Sequence, residues 1–188
     1  MLTGFIRWQN RFQNTLGQAA AWLTLALALL TFAVVVLRYG FNTGSIALQE
    51  GELYLHATAF MLGAAYTWLK DAHVRVDIFY AHWPRRRQAW VELLGTLLLA
   101  LPMFAFILWV SWDYVATSWA ISERSTEDSG LPWVWALKTL ILIMPALMIL
   151  QGVSWAALAW LTLRRPEEAE PLWRELRPDQ AELEREAL

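Results

Sequence analysis

Residues 16–37, LGQAAAWLTLALALLTFAVVVL, carry no charged side chain and are long enough to cross a lipid bilayer as one helix. A spanning helix needs about 20 mostly apolar residues. Three further stretches are also predominantly apolar, namely Leu53–Leu69, Leu93–Trp112 and Val134–Leu163. The sequence therefore predicts an all-α, polytopic membrane protein with four transmembrane helices.

The four stretches leave too few apolar residues elsewhere in the chain to build a separate soluble core. Of the 188 residues, 57% are apolar, and the four stretches use most of them. We expect an N-terminal interfacial segment at 1–15, a four-helix transmembrane domain at 16–163 and a charged cytoplasmic tail at 164–188. Phe5, Trp8 and Phe12 recur at helical spacing, which is typical of a short helix lying in the membrane interface.

Tryptophan is the most unusual component, with 13 residues. Most of them lie near the ends of the predicted spans. Amphipathic aromatic side chains collect at the level of the lipid headgroups. We interpret these residues as interfacial anchors.

The distribution of positive charge predicts the orientation. Twelve of the 15 Lys and Arg residues lie before the first span, in the second loop or in the tail, whereas Arg38 and Arg124 are the sole cations of the other two loops. Cytoplasmic loops carry an excess of Lys and Arg. Both termini and the second loop are therefore expected in the cytoplasm of a bacterial inner membrane.

Five ionisable residues are expected near the outer ends of the spans: Arg38, Glu50, Glu52, Asp113 and Lys138. Ionisable groups at membrane depth are costly and mark functional positions. One interpretation is a path for an ion or a substrate. The other is a set of ion pairs that fixes helix packing or docks a partner, and the terminal placement favours it.

Several classes of chemistry find no support. The chain has no cysteine, which excludes disulfides, thiolate nucleophiles and Cys-ligated metals. Its net charge of −2 gives no sign of nucleic-acid binding. His56 is the sole histidine within a span, so no facing pair could ligate haem, and the histidine spacing does not suit zinc. With no nucleophile–base motif either, we expect no enzymatic activity, no cofactor and no metal.

Several short motifs then follow one another in a specific order. They are Arg38-Tyr39-x-Phe41-Asn42, Gln49-Glu50-Gly51-Glu52, Phe60–Ala65, His73-Val74-Arg75-Val76-Asp77, Glu123-Arg124-Ser125, Gly130-Leu131-Pro132, Lys138, Pro145 and Gln151-Gly152. This order resembles the small membrane subunit of tripartite ATP-independent periplasmic (TRAP) transporters, and the resemblance covers residues 16–163.

The resemblance implies a non-catalytic subunit of a secondary, ion-gradient-driven uptake system. By this resemblance, such a subunit scaffolds a large membrane subunit that holds the substrate and sodium sites. It also helps to dock a periplasmic substrate-binding protein that delivers the substrate, often a carboxylate. Helix packing, partner interface or docking is the expected role of a set of polar and turn residues. The set is Arg38, Glu50, Glu52, His73, Arg75, Asp77, Asp113, Glu123, Arg124, Ser125, Pro132 and Lys138.

Two other functions remain open from the residues. A self-sufficient four-helix transporter acting as a homodimer would require an intramembrane carboxylate, for which Glu52 is the nearest candidate. A haem-anchoring redox subunit is disfavoured by the histidine count. For the outer loop around Arg124, docking of the binding protein and an ordinary exposed loop of mixed charge are equally supported.

Overall fold

The computed structural model describes residues 1–74 and 80–176, and every regular element in these ranges is helical. Its elements are α1 (Leu2–Gly40), α2 (Ile46–Leu69), a 3-10 turn (Tyr80–His82), α3 (Arg85–Gly95), a π-helical segment (Thr96–Ala100), α4 (Leu101–Ala120), α5 (Val134–Arg164) and α6 (Pro166–Leu176). The all-α prediction is confirmed.

Three helical stretches within the described residues are long and apolar enough to cross a membrane: Leu2–Gly40, Arg85–Ala120 and Val134–Arg164. They contain three of the four predicted spans. The fourth, Leu53–Leu69, lies in α2, which has 24 residues but also includes Gln49, Glu50 and Glu52. These polar residues lie near the N-terminal end of α2, whose length is sufficient for a span.

Helix α1 is continuous from Leu2 to Gly40, so the N-terminal segment and the first apolar stretch form one helix. At a rise of 1.5 Å per residue, its 39 residues extend over about 58 Å. This length is well beyond the roughly 30 Å of a hydrocarbon core. The division at residue 15 stays a prediction, because the helix itself has no break there.

The proline in the third span lies next to a change in helix type. Pro102 has no backbone N–H to donate, and its ring conflicts with the carbonyl four residues earlier. The π-helical segment Thr96–Ala100 comes directly before it, between α3 and α4. Pro145, in contrast, is fully buried inside α5, which stays one helix over 31 residues.

The chain divides into two compact units. Unit 1 comprises Met1–Asn14 and the described parts of Ala65–Phe104 and Met148–Leu188. Its core joins Ile6 from α1, Trp155, Leu158 and Leu161 from α5, and Ala169, Leu172 and Trp173 from α6. The charged tail therefore begins with a helix that buries one apolar face. Residues 177–188 lie outside the described residues.

Two tryptophans of unit 1 depart from the interfacial interpretation. Trp155 and Trp173 are buried, and their rings meet edge to face at 5.6 Å between centroids. The indole N–H of Trp173 donates to Thr162 Oγ1 at 2.9 Å. For these two residues the anchor prediction is wrong, because Trp155 packs against α6 and Trp173 lies on the buried face of α6.

Unit 2 comprises Thr15–Ala64 and Ala105–Leu147. Within it, α1 and α2 approach closely at Gly51, where a Cβ atom would lie 3.4 Å from Leu30 Cδ2. Helix α4 ends at Ala120, and Ser122, two residues later, has a φ of 48° in the left-handed region. The N–H of Glu123 donates back to the carbonyl of Ser118 at 3.0 Å, which closes a Schellman-type cap.

Gly63 of α2 and Gly152 of α5 differ in the space that surrounds them. A Cβ atom on Gly63 would meet nothing within 4 Å in the described part of the chain. Gly152 in unit 1 is tight instead, with Leu101 Cδ2 at 2.9 Å and Trp68 Cη2 at 3.1 Å from an added Cβ. The requirement for a small side chain therefore lies on α5.

Candidate functional site: an anchored loop and a buried polar cluster

Unit 2 holds residues 121–133, here named the anchored loop, at two points. The first point is Glu50 in α2, which precedes the apolar stretch Leu53–Leu69. Glu50 accepts a hydrogen bond from the Ser125 hydroxyl, and its Oε2 accepts the N–H of Leu131 at 2.6 Å. One carboxylate thus joins α2 to two positions of the loop that lie six residues apart.

Local backbone contacts complete this attachment. The N–H of Ser125 donates to the carbonyl of Leu131 at 3.1 Å, and the N–H of Gly130 donates to Glu127 at 2.9 Å. A Cβ atom on Gly130 would lie 2.3 Å from Ser125 Oγ and 2.8 Å from Glu50 Oε1. Glycine is therefore needed at position 130 for the carboxylate and the hydroxyl to meet.

The second point is the ion pair between Glu123 and Lys138 of α5. Lys138 Nζ lies 2.5 Å from Glu123 Oε2, and both side chains are largely buried. The same ammonium lies 4.2 Å from the centre of the Tyr114 ring, a cation–π contact. The C-terminal end of α4 and the N-terminal end of α5 are thereby tied to the start of the loop.

These contacts stabilise the ionised forms of Glu50 and Glu123. The hydrogen bond from Ser125, followed by that from the Leu131 N–H, lowers the pKa of Glu50 below its ordinary value of 4.5. The hydrogen bond from Lys138 likewise lowers the pKa of Glu123. Both groups are ionised at neutral pH, and the loop is therefore held by charged acceptors.

The structure brings together four of the residues expected to form an interface: Glu50 with Ser125, and Glu123 with Lys138. Arg38, Asp113 and Arg124 have exposed side chains. Pro132 is half-buried and lies two residues before α5 begins. The interface role of these residues remains a prediction.

Glu52 and His73 are placed differently. Glu52 is half-buried, and its Oε1 atom is buried without a hydrogen-bond partner in the described ranges. His73 is exposed and lines a cavity in unit 1 of about 360 Å³ together with Trp68 and Phe104. Arg75 and Asp77, which belong to the same expected set, lie outside the described residues.

Sequence reasoning missed a second polar arrangement, in unit 1. Glu92 of α3 accepts hydrogen bonds from the Trp155 indole N–H and, at 2.5 Å, from the Tyr80 hydroxyl. Gln9 and Gln151 are completely buried, and Gln9 Nε2 donates to Gln151 Oε1 at 3.5 Å. In the sequence, these residues are only two glutamines and a glutamate within largely apolar segments. Their spacing follows no recognisable pattern, so it did not predict the contacts.

The hydrogen bonds of these two arrangements connect helices and shape a loop. Within residues 1–74 and 80–176, no cluster of three or more His, Asp or Glu side chains could hold a metal ion. In the described ranges, the carboxylates of Glu50, Glu92 and Glu123 accept hydrogen bonds from protein donors.

Comparison with known proteins adds independent information. Residues 27–162 match the family model described as "Tripartite ATP-independent periplasmic transporters, DctQ component". The C4-dicarboxylate TRAP transporter small permease protein DctQ of Vibrio cholerae serotype O1 is 30% identical over 112 residues, which is 57% of this chain and 46% of that relative. The match thus spans about half the length of this curated relative. No solved structure matches the chain.

The family model covers most of the chain, including both points that hold the anchored loop. It confirms the resemblance to TRAP small subunits and the expectation of a transporter component rather than an enzyme. The chain belongs to the DctQ family, the multi-pass small permease components of TRAP transporters.

Proposed function

We propose that this chain braces the large membrane subunit of an ion-gradient-driven TRAP uptake system and helps to dock its periplasmic substrate-binding protein. The match to the DctQ component over residues 27–162 is the observation that carries this proposal. Sodium coupling and a carboxylate substrate belong to the same proposal. Both would reside in the partner proteins and not in this chain.

Exposed apolar surface on the long helices supports a bracing role. In unit 2, α1 exposes Trp22, Leu29 and Phe32, and α4 exposes Phe106 and Trp109. Helix–helix association in membranes depends on close side-chain packing, since lipid tails are equally apolar. These large side chains offer such a packing surface to a second membrane protein, and lipid would cover the remainder.

The anchored loop supports the docking role. Its outer surface carries Arg124, Glu127 and Asp128, all exposed. Charge complementarity at an interface directs encounter and register more than it adds affinity. A loop fixed by Glu50 and Lys138 would present these charges in one arrangement, which favours repeated docking and release.

The orientation that this proposal requires has both termini in the cytoplasm and the anchored loop in the periplasm. The chain is naturally free of cysteine, so single cysteines can be introduced without removing any. Whole cells expressing Ser129→Cys should react with a membrane-impermeant maleimide, whereas cells expressing Glu170→Cys should react only after lysis. The reverse pattern would overturn the proposed orientation.

The functional test is reconstitution with the large membrane protein encoded beside this chain and the cognate binding protein. We expect uptake into proteoliposomes only when both membrane proteins are present, and native mass spectrometry should show a one-to-one complex. Uptake by this chain alone, down an ion gradient, would contradict the proposal. A homodimer without the larger protein would also contradict it.

Glu52 offers a direct comparison with the self-sufficient transporter, because its Oε1 atom is buried and accepts no hydrogen bond from the described residues. A carrier carboxylate cannot be replaced without loss of coupling. For a bracing subunit, we expect Glu52→Ala and Glu52→Gln to retain uptake by the complex within about twofold. Loss of uptake in both variants, with the complex still assembled, would favour the alternative.

A further inference from the structure

The exposed residues of α2 form one narrow stripe. They are Ile46, Leu53, His56 and Phe60, and every other residue of this helix is buried or half-buried. Their spacings of seven, three and four residues return to the same side of a helix every two turns. A stripe of this width is typical of the seam along which one helix packs against another, whereas a broad apolar face is not needed for it.

Gly63 continues this stripe three residues after Phe60. An added Cβ atom on Gly63 would meet nothing within 4 Å in the described part of the chain, so this side of α2 is open there. Helices in membranes approach one another most closely at small residues, because packing contacts drive their association. The stripe therefore combines large side chains with a point at which a neighbouring backbone can come near.

His56 is the member of the stripe that lipid does not suit. Six residues separate it from Glu50, which at 1.5 Å per residue places it about 9 Å further into the apolar part of α2. Lysine and arginine can extend from such a depth to the headgroups, but the imidazole side chain is much shorter. Ionisable residues within spanning helices face protein partners because the hydrocarbon offers them no polar contact.

The ring of His56 stacks on Phe60, with centroids 6.4 Å apart and an angle of 19° between the planes. Stacking orients the imidazole but satisfies neither of its nitrogens, one of which donates a hydrogen bond while the other accepts one in the neutral ring. Lipid tails cannot complete these bonds, whereas a side chain of another membrane protein can. The exposed histidine thus favours protein over lipid as the cover of the stripe.

We propose that the stripe of Leu53, His56, Phe60 and Gly63 packs against one transmembrane helix of the large membrane subunit. In this contact the imidazole N–H of His56 donates a hydrogen bond to an oxygen-bearing side chain of that helix. The inference rests on the proposed function, which supplies the partner. It adds the face of this chain that the partner contacts and the chemistry that the contact requires.

A second copy of this chain fits the stripe less well. A two-fold axis along the membrane normal would set Phe60 against Phe60 and Gly63 against Gly63, since the contact surface is the same on both copies. Large side chains would then oppose each other, and a gap would remain at the glycines, which close packing disfavours. A different helix can place a large residue opposite Gly63 and a small one opposite Phe60.

The test measures assembly of the full-length chain with the large membrane protein encoded beside it, by native mass spectrometry in mild detergent. Gly63→Leu fills the open point of the stripe and should weaken assembly at least about tenfold. The matched control is Gly95→Leu in α3, because Gly95 is also a half-buried helical glycine with nothing within 4 Å of an added Cβ. Leucine favours a helix more than glycine does, so both variants should fold.

The histidine is tested by a polar and an apolar replacement. His56→Leu should weaken assembly about threefold to tenfold, which is the usual range for one hydrogen bond between membrane helices. His56→Gln retains an N–H donor and should assemble more tightly than His56→Leu. A direct contact is measured by replacing Phe60 with the photoreactive analogue p-benzoylphenylalanine, which should crosslink to the large membrane protein on irradiation.

Three outcomes would overturn the inference while leaving the proposed function intact, since in each the wild-type complex still forms. The first is equal assembly of the Gly63→Leu and Gly95→Leu variants. The second is assembly of His56→Leu as tight as that of the wild type. The third is a crosslink at position 60 that joins two copies of this chain. Failure of the wild-type chain to form the complex would instead overturn the proposed function, and this inference with it.

Discussion

Glu92 in unit 1 and Glu50 in unit 2 each accept hydrogen bonds from two of the donors that the structure describes, and these donors differ in kind. The donors to Glu92 are the indole of Trp155 and the hydroxyl of Tyr80, two side chains from separate elements. The donors to Glu50 are the hydroxyl of Ser125 and the backbone N–H of Leu131, both in one loop. The first carboxylate joins elements of the core, and the second determines the shape of a loop.

This difference assigns different tasks to the two units. Unit 1 buries aromatic and amide side chains where α1, α5 and α6 pack, so its polar groups contribute to the stability of the core. Unit 2 uses its charges to hold the anchored loop, while the faces of α1 and α4 stay apolar and exposed. Mutations in unit 1 should therefore affect folding, and mutations in unit 2 should affect the loop.

The largest expected effect is on the core of unit 1. Trp173→Ala empties the space against Trp155 and Leu158 and should lower the free energy of unfolding by about 3–5 kcal/mol. The matched control is Trp133→Ala in unit 2, whose side chain is 53% exposed. Thermal unfolding in detergent, followed by circular dichroism, measures both variants. Equal losses in the two would remove the distinction between the units.

Replacing Glu92 or Glu50 should distinguish a loss of global stability from local opening of the anchored loop. Glu92→Ala removes the acceptor of two side-chain donors and should cost about 2 kcal/mol of unfolding free energy. Glu50→Ala should leave the unfolding temperature nearly unchanged. It should raise trypsin cleavage after the exposed Arg124 about tenfold, because the loop opens without the helices. Faster cleavage at Arg124 in Glu92→Ala than in Glu50→Ala would reverse the assignment.

Acid should release the anchored loop before the helices unfold. The pKa values of Glu50 and Glu123 are lowered in the folded protein, so their stabilisation is complete above 4.5, the ordinary value. This stabilisation is lost as the pH falls below 4.5 and passes through the lowered pKa values that the two groups have in the folded protein. Fluorescence anisotropy of a label on Ser129→Cys should drop in that window, with the helical circular dichroism retained. The Glu50→Gln/Glu123→Gln variant should show no drop in anisotropy in this pH range. The same drop in this variant as in the wild type would refute the role of the two carboxylates in acid release.

The smallest expected effect concerns ion pairs on the surface of α6. Arg174 Nε lies 3.2 Å from Glu170, and both side chains are exposed. Arg174→Gln should change the unfolding free energy by less than about 0.5 kcal/mol, because exposed pairs gain little in water. A loss as large as that of Trp173→Ala would mean that α6 is held by charge and not by its apolar face.

Much of the fold followed from local patterns. Long uncharged stretches such as residues 16–37 predicted helices because a helix satisfies its own backbone hydrogen bonds within the segment. The order of short motifs led to the family, which the comparison confirmed. The sequence also predicts packing or interface roles for Ser125, Glu123 and Lys138, but it does not indicate which residues they contact.

The partners themselves required the tertiary structure. Glu50 and Ser125 are separated by 75 residues, Glu92 and Trp155 by 63, and Gln9 and Gln151 by 142. No periodicity within one helix encodes such a pairing. It arises only when faces from distant segments come into contact. For the same reason the sequence predicts interfacial anchors at Trp155 and Trp173, whereas packing between α5 and α6 buries both side chains.

The sequence by itself determined that this chain is helical, apolar and a member of the DctQ family, because hydrophobicity and motif order are properties of the linear chain. The tertiary structure alone decided which carboxylate holds the loop and which glycine permits this contact. Those features depend on distances of a few ångströms between side chains, and only packing sets these distances.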